Sequence, residues 1–136
     1  MKRPMYRPCA RFVRDSSGAA AVEFAIISSV FIVLMFGLVY AGMMIFDRVS
    51  LQWAVERASR VASIDMNATE TDIATSINDY LTGVGLPSAD VAYSVSTSSG
   101  YPVASIQASF ARTYTVPMVA TFTIDFSASA SVPQVS

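Results

Sequence analysis

Between Phe24 and Phe46 the only polar residues are Ser28 and Ser29. A helix needs about 20 predominantly apolar residues to cross the hydrocarbon core of a bilayer, and this run suffices, with length to spare for tilt. Its apolar positions fall all round the helix rather than on one stripe, so the segment reads as lipid-facing and not as an amphipathic surface helix. The pattern then changes. Residues 47–63 hold Val49, Trp53, Val55 and Val61 without glycine or proline, which predicts that the helix continues as a stem. Glu56 and Arg60 stand at i, i+4, a spacing that supports a helix, and Trp53 is expected to pack on the domain that follows.

Asp65 to Ala68 read as a break. Thr69 and Asp72 have capping-box-like spacing at the start of a second helix. Ile73, Ile77, Tyr80 and Leu81 fall on one face of it, and Gly83, Gly85 and Pro87 end it. Period two takes over beyond that point. Val91, Tyr93 and Val95 alternate with Ala92, Ser94 and Ser96. Ala104, Ile106, Ala108 and Phe110 alternate with Ser105, Gln107, Ser109 and Ala111, and Phe122, Ile124, Phe126 and Ala128 with Thr121, Thr123, Asp125 and Ser127. A turn cluster at 97–102 separates the first two runs, and Pro117 interrupts the chain before the third. The predicted fold is α+β: a long N-terminal transmembrane and stem helix, a short helix, and a small antiparallel sheet of about three strands with one face buried. That face is expected to lie on Trp53 and the 69–81 helix. A body of this size is marginal alone and is expected to borrow core from the stem.

Charge adds orientation. Residues 1–18 carry five basic residues against the single acid Asp15, a balance of +4; residues 19–136 carry four basic residues against nine acids, a balance of −5. Basic residues just before an apolar span mark the cytoplasmic side. The expected organisation is therefore a cytoplasmic leader over 1–18, a membrane helix and stem over 19–63, and an extracytoplasmic α+β domain over 64–136. Only 14% of the residues are charged, and the basic ones cluster in the leader. That distribution argues against a nucleic-acid-binding face. With no histidine and the single cysteine Cys9, a structural zinc site, a His-based triad and an internal disulfide are all ruled out. No phosphate loop or nucleophile motif stands out, and the scattered acids read as solvated surface. An enzyme is not expected, nor is any cofactor or metal.

Two residues are odd for a plain anchor. Gly18 stands at the junction of basic head and apolar run, and Glu23 places a carboxylate near the start of a membrane helix, where an acid costs free energy unless it finds a cation. The segment Gly18-Ala19-Ala20-Ala21-Val22-Glu23-Phe24 resembles the processing motif of type IV pilin-like proteins. The wider stretch from Arg14 to Ala25, with Arg57-Ala58-Ser59-Arg60-Val61-Ala62 further on, resembles TadE-like minor pseudopilins of the tight-adherence (Tad) pilus system. The chain does not distinguish TadE-like from TadF-like members. The resemblance implies that prepilin peptidase cuts between Gly18 and Ala19, removing the leader and Cys9 with it. Glu23 then becomes the fifth residue of the mature chain. The new amine on Ala19, positive near neutral pH with a reference pKa of about 7.7–8.0, would meet the Glu23 carboxylate of a neighbouring subunit and set the register between helices.

Gly37, Ala41 and Gly42 add small residues through which membrane helices approach closely. The partners implied are the peptidase, other pilin-like subunits, Tad inner-membrane assembly proteins and membrane lipid. The expected location is the bacterial inner membrane, single-pass, with a role in pilus assembly or secretion, adherence and biofilm formation. The competing reading is an unprocessed single-pass anchor that carries a small extracytoplasmic protein- or polymer-binding module.

Overall fold

The computed structural model describes residues 16–98, 100–117 and 119–134; most of the basic leader, Cys9 included, lies outside them. In chain order the elements are α1 (Ser16–Ile64), α2 (Glu70–Gly83), β1 (Asp90–Ser98), β2 (Tyr101–Val116) and β3 (Ala120–Pro133). This is the α+β arrangement that the hydrophobic pattern predicts. The chain divides into two units, with the boundary between Val39 and Tyr40.

The described part of the first unit is helix alone. From Gly18 to Val39 its side chains are exposed, apart from the half-buried Ser28. Helix geometry satisfies the backbone internally, as lipid requires. The hydroxyl of Ser29 does likewise by donating to the Ile26 carbonyl at 2.8 Å.

In the second unit the three strands form an antiparallel sheet of order β1-β2-β3. Gly100 takes φ +86 in the β1–β2 turn, a conformation that a Cβ disfavours. The central strand β2 supplies the core face through Ala104, Ile106, Ala108, Phe110 and Tyr114. Ile106 pairs with Tyr93 on one side and Ala130 on the other. Onto this face pack Ile73, Ile77 and Leu81 of α2, and Leu51, Ala54, Val55, Ala58 and Ala62 of α1. These stem residues are buried in the same core cluster, so the stem does contribute core to the body.

Two expectations need correction. Trp53 is 61% exposed and does not anchor the core. At about 100° per residue it points away from the stripe through Leu51, Ala54, Val55 and Ala58, whose phase decides burial whatever the size of the side chain. Glu56 takes its hydrogen bond from Gln52 at 3.2 Å, on its N-terminal side, rather than pairing with Arg60.

The cap of α2 is as predicted. Thr69 accepts from the Asp72 backbone and the Asp72 carboxylate accepts from the Thr69 backbone at 3.1 Å. Hydrogen bonds from the Thr69 hydroxyl, and then from its N–H, hold the Asp72 pKa below its ordinary value. Because that pKa is depressed on folding, the stabilisation is present above the ordinary carboxylate range and is lost as the pH falls through the lower folded value.

Candidate functional site

The candidate processing junction lies in the first turn of α1. Gly18 and Ala19 are exposed there, and Glu23, about one turn further along the helix, is exposed as well. Ala19 and Glu23, four residues apart on one helix, share a face. A carboxylate on that face within an apolar layer calls for a cation; the flanking side chains from Ala19 to Ile27 supply none. Gly37 and Gly42 are each open, since a Cβ built on either meets nothing within 4 Å. Ala41 is exposed as well.

A second cluster was not read from the sequence. Asp47, the first residue past the apolar run, is 1% exposed. Arg112 of β2 donates to its Oδ1 at 2.7 Å, and the hydroxyl of Tyr114 donates to its Oδ2. The guanidinium lies 5.7 Å from the Tyr114 ring centroid, within reach of a cation–π attraction. Tyr114 stacks on Phe122 at 5.8 Å and meets Tyr40 edge-on at 6.2 Å. Tyr40 in turn donates to the Thr115 carbonyl. The cluster fastens the end of β2 to α1 where the apolar run stops. The signal that could have found it is strand parity. Arg112 shares a face with Phe110 and Tyr114, and a charge on a buried face needs a partner.

Burial pushes the Tyr114 phenol up to about 12, helped by its hydrogen bond to Asp47 and by the Asp47 charge, and opposed by Arg112. The ordinary value is 10.0. A pKa raised on folding gives stability that is complete below pH 10 and is lost as the pH rises towards 12. Tyr114→Phe is therefore expected to flatten the fall in stability across that window, read by denaturant titrations at successive pH values. An unchanged slope would contradict the assignment.

At the far end of the sheet, buried Gln134 donates to the Ala62 carbonyl at 3.1 Å and to the Tyr93 hydroxyl at 3.3 Å, while its N–H donates to the Pro102 carbonyl at 2.9 Å. Among the described residues no cluster of three or more His, Cys, Asp or Glu side chains suits a metal ion.

Residues 18–60 match the model of the TadE-like protein family. The match runs from the candidate junction along α1 and stops before α2 and the sheet. It is consistent with a TadE-like protein of the Tad pilus system. No curated protein and no solved structure matches the chain significantly.

Proposed function

We propose, with the TadE-like match over residues 18–60 as premise, that this chain is a minor pseudopilin: a non-enzymatic component of Tad-type pilus assembly or secretion. In this reading α1 crosses the inner membrane with residues 1–18 in the cytoplasm. Prepilin peptidase removes them, and the body that follows the apolar run lies on the extracytoplasmic side of the membrane. The observation that carries the reading is the spacing of Gly18 and Glu23 at the mouth of an apolar helix none of whose membrane-length window is buried in the chain. Lipid and the helices of other pilin-like subunits are the natural cover for such a surface, and the Ala19 amine of a neighbour is the natural partner for Glu23. The openness of Gly37 and Gly42 supports close approach of a second helix. Tad inner-membrane assembly proteins are the expected companions of the assembled helix, in a process that serves adherence and biofilm formation.

The test is Glu23→Gln. A charge-assisted hydrogen bond is worth about 1.5–3 kcal/mol, and each 1.4 kcal/mol is tenfold in an equilibrium constant. The variant is expected to be processed normally, yet recovered with its pilin-like partners after membrane crosslinking roughly tenfold less than wild type. Equal recovery would leave an ordinary tethered domain as the better account.

A further inference from the structure

Within the second unit the turn of the β2–β3 hairpin lies at the Tyr40 end of α1. The pairs Gln134–Ala62, Arg112–Asp47 and Tyr40–Thr115 follow one another down the helix, so β2 runs alongside it from the free end of the stem to Tyr40. The apolar run ends at Phe46. Tyr40 lies six residues inside it, about 9 Å at 1.5 Å per residue. Tyr40 and Met44 both belong to that run, and both pack on the core of the folded body. The body thus overlaps the last turns of the segment read as spanning the membrane.

The hairpin end is built as lipid demands. Val116, Pro117, Val119 and Ala120 carry no polar side chain. Pro117, Val119 and Ala120 are exposed, Val119 by 59%. The turn closes on itself through Val119 N–H to the Val116 carbonyl at 3.2 Å, and Pro117 has no N–H to satisfy. The nearest polar side chains are four threonines, and they pair with one another. Thr113 and Thr123 share a hydrogen bond at 2.9 Å, and Thr121 donates to Thr115 at 3.3 Å. The Asp47–Arg112 ion pair nearby is joined by the Tyr114 hydroxyl. Polar groups that are mutually satisfied allow such a turn to sit in lipid beside a helix read as spanning the membrane.

We infer that the β2–β3 hairpin, through Val116, Pro117, Val119 and Ala120, is seated in the outer leaflet beside α1 and gives the body a lipid contact of its own. The inference rests on the membrane reading given above. The occupant is the acyl and interfacial layer of the bilayer, because the hairpin lies level with residues of the apolar run itself. Tyr40, half-buried and aromatic with a polar tip, suits that interface.

The test uses the full chain with Cys9→Ser, reconstituted in vesicles of phosphatidylethanolamine and phosphatidylglycerol at low protein-to-lipid ratio. A fluorophore is attached at Val119→Cys, at Val30→Cys in mid-span, or at Thr97→Cys at the opposite end of the sheet. The expected result is that Val119 is quenched by nitroxide lipids as Val30 is, and is quenched by aqueous iodide several-fold less than Thr97. Iodide access at Val119 equal to that at Thr97, with Val30 still in lipid, overturns the hairpin inference alone. Iodide access at Val30 overturns the membrane reading and this inference with it. Shielding of Val119 from iodide without quenching by nitroxide lipids would mean that a second protein copy covers the hairpin, and also overturns it.

Discussion

Gly18→Leu is expected to leave residues 1–18 attached, so that the membrane-extracted protein is found only as the full-length species. This effect is all or none, because a peptidase that cuts after glycine would have to admit a branched side chain where the substrate has a hydrogen atom. In α1 itself the added side chain is harmless. A Cβ at Gly18 meets nothing within 4 Å, and leucine is the better helix former. Failure of processing would therefore be a failure of recognition and not of folding. Assembly should fail with it, since the retained leader keeps five basic side chains against one acid and leaves no free amine on Ala19 for Glu23. Gel mobility and intact mass of the variant beside wild type read the outcome. Processing of Gly18→Leu at the wild-type level would remove the case for a glycine-directed cut.

The second large effect is expected at Asp47→Ala. Removing one partner of a buried ion pair costs about 3–5 kcal/mol, because the other charge stays behind without compensation. The Arg112 side chain is 28% exposed, so water relieves part of that, and the expected loss is about 2–3 kcal/mol. The Tyr114 hydroxyl loses its acceptor as well. Single domains have only about 5–15 kcal/mol to lose, and 1 kcal/mol moves the midpoint of a domain this size by about 4–8 °C. The melting midpoint of the body in detergent should fall by about 8–24 °C on that scale. The double variant Asp47→Ala with Arg112→Ala should recover part of the loss, because no unpaired charge remains. A midpoint within the error of wild type would show that the cluster does not fasten β2 to the stem.

How far the chain could be read before its structure follows from the range of each interaction. The α2 cap joins residues three apart, and its stripe of Ile73, Ile77 and Leu81 repeats every turn, so both are visible locally. The strands are visible for the same reason, since alternation at Ala104, Ile106, Ala108 and Phe110 needs no knowledge of the partner strand. Asp47 and Arg112 are 65 residues apart, and nothing near either names the other. Extending the parity of β2 two residues beyond Phe110 would have put Arg112 on the buried face and posed the question. The exposure of Trp53 is set by helical phase, which the buried stripe of Leu51, Ala54, Val55 and Ala58 defines and which the distance of Trp53 from the apolar run does not reveal. The junction at Gly18 and Glu23 is legible only as a motif. The partner proposed for Glu23 belongs to another chain, so the fold of one chain leaves that pairing open. The family match covers α1 and leaves α2 and the sheet to be argued from packing alone.

The most direct measurement is the amino-terminal sequence of the protein extracted from membranes of cells with and without their prepilin peptidase. With the peptidase the chain should begin at Ala19, and without it at the initiating end of the basic leader. A chain that keeps residues 2–18 in peptidase-containing cells would contradict the account and leave a tethered domain in its place.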